Sequence, residues 1–302
     1  MADEGGVARR PSRSDTVGAL VNAMVAVLER AFGDTARSEA RELLASLHDM
    51  PRHWPIVEHA QRVSTEEWMR AIRAAKFRAQ GAPLQYATGQ ASFRHLTLDV
   101  DERVLIPRPE TERLVDLVLD ELRIDSPGVV VDVGTGSGAI ALSIASEGNV
   151  ERVIGTDVSL DALAVARTNV ARCAPVLRAP VELRAGSLLG PVHERPLRAV
   201  VSNPPYISWE ERDALSPSVR DWEPAVALFS EEGGMAATAR LVRDAGQALA
   251  PRGLLALEVD SRRASVAAEL VATDGAYDMV QVLLDLTGRE RFVVARRREG
   301  AA

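Results

Sequence analysis

Apolar residues near the beginning of the chain recur at the spacing of one helix face: Val17, Leu20, Met24, Leu28 and Phe32. This spacing predicts an amphipathic helix, for which Ser14 and Asp15 offer N-caps. Similar patterns predict a second helix over 36–47 and a third that begins at a capping box, Ser64 with Glu67, and ends near Gly81. We expect an all-helical domain over residues 16–88, preceded by a disordered tail over 1–15.

The period of the apolar positions changes between residues 89 and 107. Phe93, Leu96 and Leu98 predict one short strand, residues 104–106 predict a second, and the turn between them is expected at Asp101-Glu102. We interpret this segment as a β-hairpin linker between two domains.

From residue 108 onward the pattern is typical of a sheet built from βαβ units. Strands are expected at 129–133, 152–156, 181–185, 198–202, 254–259, 279–284 and 291–295. Helices are expected at 110–122, 138–146, 160–172, 235–250 and 261–272. The last two strands are too close for a parallel crossover and must pair antiparallel. The predicted fold class for 108–302 is therefore α/β, a seven-stranded Rossmann-like sheet with an antiparallel end hairpin, as in S-adenosylmethionine methyltransferases.

The composition of the chain argues against several kinds of binding partner and indicates where in the cell the protein is expected. The 302 residues carry a net charge of -7, which argues against direct nucleic-acid binding as the main source of affinity. A single cysteine excludes an internal disulfide framework and fits the reducing cytoplasm, where we expect the protein to reside. The five histidines show no ligand spacing, and no apolar stretch approaches the ~18 residues of a membrane span. We expect no metal site, no membrane partner and a monomer.

A glycine-rich turn lies between the strand predicted at 129–133 and the following helix, and its residues are Gly134, Thr135, Gly136, Ser137 and Gly138. Glycines at alternate positions let the backbone turn tightly and approach a ligand closely. The spacing differs from the G-x-G-x-x-G of a nicotinamide site, and a plain strand–helix connection is the alternative. Asp157 ends the second strand, where a carboxylate accepts both ribose hydroxyls of an adenosine. Its alternative role is to cap the helix over 160–172. Together the two features predict an adenosine-containing cofactor.

The segment Asn203-Pro204-Pro205-Tyr206 follows the strand at 198–202, at the edge where open α/β sheets place their ligands. Two prolines remove two backbone donors, so carbonyl acceptors remain. The Asn203 side-chain oxygen and the Pro204 carbonyl are suited to accept the two N–H groups of a primary amide, and Tyr206 offers an aromatic face for stacking. A rigid turn is the alternative, but the position after a cofactor loop favours a site that methylates a planar nitrogen.

Five segments carry a resemblance to the bacterial release-factor glutamine methyltransferases, the HemK or PrmC family: residues 83–89, 104–112, 132–142, 202–207 and 285–291. The resemblance implies a helical substrate-recognition domain, and a substrate glutamine in the Gly-Gly-Gln loop of class 1 peptide chain release factors. It implies that S-adenosyl-L-methionine is bound by Gly134 to Gly138, Asp157, Gly186, Ser187 and Asn203. Asn203, Pro204 and Tyr206 would be catalytic, and Pro205 would help them cradle the glutamine. Residues 108–112 would lie near the mouth of the site or simply start a helix, and we expect both roles.

The chain departs from the family pattern where Gly186-Ser187 replaces an acid and a bulky residue beside the adenine, so backbone groups or Ser187 would hold that ring. Other functions stay open. A sister group methylates a glutamine of a ribosomal protein, and an adenine N6 flipped out of a nucleic acid is also a planar nitrogen. A non-catalytic cofactor-binding module is a third possibility, and a dinucleotide dehydrogenase is the least favoured.

Overall fold

The computed structural model describes residues 15–123 and 127–300, so the tail expected over 1–15 lies outside the described residues except for Asp15. The chain forms two compact units, which divide between Gly89 and Gln90. The domain boundaries drawn from the sequence remain a prediction.

The first unit is helical, and its helices are α1 Val17–Phe32, α2 Ala36–Leu47, α3 Trp54–Val57, α4 Thr65–Ala79 and α5 Leu84–Thr88. The side chain of Thr16 caps α1 by accepting from the Ala19 backbone N–H at 3.3 Å, so the N-cap is neither Ser14 nor Asp15. The capping box predicted at Ser64 and Glu67 is confirmed. Leu20, Met24, Leu43 and Leu44 are fully buried, and they form the core of this unit.

The second unit begins with a hairpin of β1 Gln90–Phe93 and β2 Leu96–Asp99. A turn does form at Asp101-Glu102, where the Val104 backbone N–H donates to the Asp101 carbonyl at 3.1 Å, but the prediction that it joins the two strands is wrong, because the hairpin reverses at Arg94-His95. Arg94 takes a left-handed φ of 54°. Its backbone N–H donates to Glu112, and its guanidinium pairs with Glu147 at 2.8 Å, so these carboxylates hold the turn. Residues 104–106 form no strand. The apolar pattern that predicted one reflects the burial of Val104 and Ile106.

The remainder of this unit is a seven-stranded sheet flanked by helices. Its strands are β3 Val129–Val133, β4 Arg152–Asp157, β5 Val181–Ala185, β6 Leu197–Ser202, β7 Leu249–Glu258, β8 Tyr277–Leu284 and β9 Glu290–Arg297. Its helices are α6 Pro109–Leu122, α7 Ala139–Glu147, α8 Leu160–Cys173, α9 Pro217–Arg220, α10 Ala225–Leu228, α11 Glu231–Gly234, α12 Ala236–Ala248 and α13 Ala264–Asp274.

The strand order is β5-β4-β3-β6-β7-β9-β8, and only the pairs that involve β9 are antiparallel. This topology confirms the predicted fold class. Alternate residues of β3 face opposite sides of the sheet: Val130 packs with α6 and α7, whereas Val129 and Val131 pack with α12 and α13. The two apolar layers fix the strand register, and with it the position of each strand end.

Candidate functional site

The candidate site lies where the sheet reverses its direction of winding. The chain runs outward from β3 to β5 and then returns to β6 on the other side of β3. A crevice opens at such a point, at the carboxyl ends of the strands. A cavity of about 430 Å³ occupies this position, and we call it the strand-end cavity. Its lining includes Gly134, Gly136, Asp157, Gly186, Ser187 and Asn203.

The glycine-rich turn forms one wall of the strand-end cavity. Gly134 and Gly136 adopt left-handed φ values of 72° and 53°. A Cβ atom at either position would meet no protein atom within 4 Å, so a side chain there would enter open space. This wall fits a ligand that approaches the backbone closely. Gly138 is also left-handed, with a φ of 87°, and it leads into α7 without lining the cavity.

The remaining residues of the turn fix its shape. The Thr135 hydroxyl donates to Oδ2 of Asp132 at 2.6 Å, and Ser137 uses its carbonyl to accept from Asn169 at 2.9 Å. Both Thr135 and Ser137 are buried, and neither lines the cavity. Asp132 is fully buried, and this burial raises the pKa of its carboxyl to about 7. The carboxyl also accepts from the Ala141 backbone N–H at 3.1 Å, which ties the turn to α7.

Asp157 joins the end of β4 to the glycine-rich turn. Its Oδ2 accepts from the Gly136 backbone N–H, and its Oδ1 accepts from the Ser159 backbone N–H, each at 2.9 Å. Ser159 supplies the side-chain cap of α8 by accepting from Ala162 at 3.1 Å. The Asp157 carboxylate therefore has acceptor capacity left for hydroxyl groups in the cavity.

Gly186 and Ser187 line the cavity after β5. The backbone N–H of Gly186 donates to the Asp157 carbonyl at 2.9 Å, which keeps the two strand ends together. A Cβ atom at Gly186 would lie 3.0 Å from two ring atoms of Pro191. Pro191 thus takes the space that a larger residue at 186 would need.

The Asn-Pro-Pro-Tyr segment follows β6 directly, and Asn203, Pro204 and Pro205 all line the strand-end cavity. Asn203 uses its Nδ2 to donate to the Thr111 hydroxyl at 3.3 Å. The Oδ1 atom of Asn203 accepts no hydrogen bond from the described residues, so it remains available as an acceptor at the cavity. Thr111 lies in the first turn of α6 and is buried.

Tyr206 is half-buried and does not line the cavity. Burial raises the pKa of its phenol to about 12, and the negative charge of Glu258 adds to the effect. The chain after it is braced, because Ile207 exchanges backbone hydrogen bonds with Leu228 and Ser230 at 3.0 and 2.9 Å. Tyr206 therefore belongs to a fixed loop with a protonated side chain at neutral pH.

Glu258 was not singled out as a site residue from the sequence, although an acid directly after an apolar strand is a recognisable signal. It ends β7 and is only 1% exposed. Burial raises the pKa of its carboxyl to about 7, whereas a hydrogen bond from the Thr111 side chain and the positive charge of Arg291 oppose that rise. Its Oε2 atom has no hydrogen-bond partner among the described residues.

Two further contacts frame the site. Arg108, just before α6, places Nη2 at 2.6 and 2.7 Å from the two carboxylate oxygens of buried Glu223. The pair holds the segment around α9 against the start of α6. Phe229 lines the cavity, and its ring stacks on exposed Trp209 with centroids 4.4 Å apart. The sequence pattern did not predict this apolar wall.

Two protein-family models match the chain: the PrmC N-terminal domain matches residues 19–89, and the methyltransferase small domain matches residues 111–216. A release factor glutamine methyltransferase of Deinococcus radiodurans is 38% identical over 281 residues, which cover 93% of this chain and 98% of that protein. The one of Moorella thermoacetica is 39% identical, covering 87% of this chain and 92% of its own length. The chain belongs to the release factor glutamine methyltransferase family. The resemblance predicted from the five segments is confirmed.

A solved structure with low sequence identity has a similar fold. The hMettl16 catalytic domain in complex with the MAT2A 3'UTR hairpin 6 is 14% identical, with a TM-score of 0.52 over 78% of this chain and 83% of that chain. At this identity the likeness concerns the fold alone. None of the helices within the described residues is long and apolar enough to cross a membrane.

Proposed function

We propose that this protein transfers a methyl group from S-adenosyl-L-methionine to the side-chain nitrogen of the glutamine in the Gly-Gly-Gln motif of class 1 peptide chain release factors. The observation that carries the proposal is the place of Asn203, whose Oδ1 is available at the strand-end cavity beside the glycine-rich turn. Family membership supports the same reaction and substrate.

The substrate amide is held by acceptors. Asn203 Oδ1 and the Pro204 carbonyl each accept one of its N–H groups, and the Tyr206 ring packs against its flat face. An amide nitrogen is a poor nucleophile because its lone pair is delocalised into the carbonyl. Acceptors that draw on both protons oppose that delocalisation, and their fixed positions avoid reorganisation during the reaction. The Asn203 and Pro204 acceptors would hold the nitrogen in place for methyl transfer, and one of its two amide protons would leave to solvent.

The cofactor supplies an electrophilic methyl group on a sulfonium, and the residues around the cavity fit it. Gly134 and Gly136 leave open space beside the backbone, and the Asp157 carboxylate has lone pairs for the ribose hydroxyls. Backbone groups near Gly186 and the Ser187 hydroxyl are suited to the adenine. The cavity of about 430 Å³ lies in the range of small-molecule sites.

The helical unit is proposed to recognise the release factor, and it offers an exposed basic face on α4 with Arg70, Arg73 and Lys76. We further propose that the protein acts as a monomer in the cytoplasm and that it does not bind nucleic acid directly.

Transfer of a labelled methyl group to a purified release factor tests this function. We expect labelling of the factor with intact Gly-Gly-Gln and none of a matched factor with Gly-Gly-Ala. Equal labelling of the two factors would refute glutamine as the target. No labelling of either, together with no cofactor binding by calorimetry, would refute the enzyme itself.

A further inference from the structure

We propose that Arg263 is a positioning residue, which holds the Asn-Pro-Pro-Tyr segment in place by bridging two parts of the chain that contact the backbone at and just after Tyr206. Arg263 lies between β7 and α13, and it does not line the strand-end cavity. The inference rests on the proposed function, because this segment supplies the acceptors for the substrate amide.

The guanidinium of Arg263 donates hydrogen bonds in two directions. Its Nε donates to the Gly233 carbonyl at 2.8 Å, and its Nη2 donates to Oε2 of Glu211 at 2.5 Å. Asp260 lies 3.8 Å from Nη1, and the Arg263 side chain is only 12% exposed. Arginine holds its donors in a rigid planar fork, whereas the ammonium group of lysine is a single point on a flexible stem. One rigid group therefore sets the position of Gly233 relative to Glu211.

Gly233 and Gly234 form the first of the two parts, a turn with left-handed φ values of 64° and 90°. A Cβ atom at Gly234 would overlap the carbonyl oxygen of Tyr206, so the turn lies directly against the Tyr206 backbone. A Cβ atom at Gly233 would meet no protein atom within 4 Å. The hydrogen bond from Arg263 to the Gly233 carbonyl thus keeps the turn packed against Tyr206.

Glu211 forms the second part, which follows Tyr206 along the chain. The same Oε2 atom that binds Arg263 also accepts from the Ser208 backbone N–H at 3.1 Å. Glu211 therefore links Arg263 to the backbone two residues after Tyr206. Arg262 places Nη1 at 2.6 Å from Oε1 of Glu211, but its side chain is 64% exposed. An ion pair of such an exposed group contributes little, so Arg262 offers a matched control.

These contacts bear on the reaction through the Pro204 carbonyl, which lies two residues before Tyr206 and is one of the two acceptors proposed for the substrate amide. A displacement of about 1 Å at a positioning group can slow a reaction roughly a hundredfold. Among the described residues, the side-chain hydrogen bonds of Arg263 reach neither the glycine-rich turn nor Asp157. Loss of the fork should therefore slow methyl transfer without weakening cofactor binding.

The first test compares Arg263→Lys with Arg262→Lys, since each keeps its positive charge. We expect kcat for methylation of the release factor to fall roughly thirtyfold in Arg263→Lys, because the acceptors are displaced. The dissociation constant of S-adenosyl-L-methionine from calorimetry should stay within about twofold of wild type in both variants. Arg262→Lys should keep kcat within about twofold as well. Wild-type kcat in Arg263→Lys, an equal loss in Arg262→Lys, or a loss of cofactor affinity that matches the loss of kcat would overturn the proposal.

The second test reaches the same contact from the glycine side and leaves Arg263 intact. Gly234→Ala should displace the Tyr206 backbone and lower kcat roughly tenfold or more, again with an unchanged cofactor dissociation constant. Gly233→Ala has the same left-handed strain without the overlap, so its kcat should stay within about twofold of wild type. Equal kcat values for the two alanine variants would show that the contact with Tyr206 does not position the segment.

Hydrogen exchange measured without substrate separates this inference from the proposed function. The backbone amides of Ile207 and Ser208 follow Tyr206, and both are hydrogen-bonded, at 3.0 and 3.1 Å. In Arg263→Lys these two amides should exchange about tenfold faster than in wild type. The amide of Ala141, which is hydrogen-bonded in α7, should keep its rate.

The two failures have different signatures. If wild type methylates no release factor but Ile207 and Ser208 exchange faster in Arg263→Lys, the proposed function fails and the positioning of the segment stands. Unchanged exchange at both amides in Arg263→Lys would overturn the positioning, whatever the activity.

Discussion

Asn203 shows what one residue contributes when a neighbour holds one end of its amide and leaves the other end available. Its Nδ2 contacts Thr111, and its Oδ1 is free at the cavity. The type of residue and its place after β6 were predictable from the sequence, since the end of a buried strand is marked by the local pattern. Its hydrogen-bond partner, Thr111, was not predictable from the sequence, because 92 positions separate the two residues along the chain. The sequence assigned no site role to Glu258, because its burial depends on packing that only the fold creates.

The first prediction concerns Asn203→Ala. We expect kcat to fall by about two to three orders of magnitude, as when one preorganised group is removed from a reacting site. The thermal unfolding midpoint should barely change, because the side chain makes a single hydrogen bond at 3.3 Å. Asn22→Ala is the matched control, since Asn22 lies in the helical unit, where it accepts from Arg37. Wild-type turnover by Asn203→Ala would remove the acceptor from the mechanism.

At the scale of single elements, helices and strands were predicted well where one face is apolar and a cap or breaker ends the pattern. The hairpin of β1 and β2 was misplaced because its turn is held by charges from elsewhere. Arg94 is stabilised in a left-handed conformation by Glu112, Asp116 and Glu147, which lie on α6 and α7. No local pattern near residue 94 carries that information.

The glycine-rich turn gives the second prediction, with Gly136→Ala compared with Gly275→Ala. Both glycines have left-handed φ values, 53° and 87°, and both would point a Cβ into open space. Each substitution should therefore cost about 1 kcal/mol in unfolding free energy. Only Gly136 lines the strand-end cavity, so only Gly136→Ala should weaken cofactor binding, by tenfold or more in calorimetry. Equal cofactor affinities in the two variants would show that the turn does not hold the cofactor.

At the scale of the whole molecule, the buried carboxyl of Glu258 makes stability depend on pH. Burial raises its pKa from 4.5 to about 7 in the folded protein. The folded state therefore binds more protons than the unfolded state between these values, and the cost of burying the charge is fully present above pH 7 and absent below pH 4.5.

The third prediction follows from that sign. The free energy of unfolding of Glu258→Gln minus that of wild type should be larger at pH 8 than at pH 5, by up to about 3 kcal/mol. Urea unfolding at the two pH values measures this difference, with Glu290→Gln as an exposed control. A stability difference between Glu258→Gln and wild type that is the same at pH 5 and pH 8 would contradict the buried, titrating carboxyl.

The fold class of the whole molecule followed from the alternation of strands and helices and from the short connection before the last strand. The reaction site followed from strand ends, which meet at one edge of a parallel sheet. The sequence could not predict the contacts that shape this edge of the sheet, such as Pro191 against Gly186 or Arg108 with Glu223.

The most direct test of the central claim is to locate the transferred methyl group at atomic level. A release factor labelled with ¹⁵N in its glutamine side chains is treated with the enzyme and a ¹³C-methyl cofactor. The account predicts one methyl carbon coupled directly to the side-chain nitrogen of the Gly-Gly-Gln glutamine, and no such signal with Asn203→Ala. A methyl group bound to any other atom of the factor, or the same signal from Asn203→Ala, would contradict it.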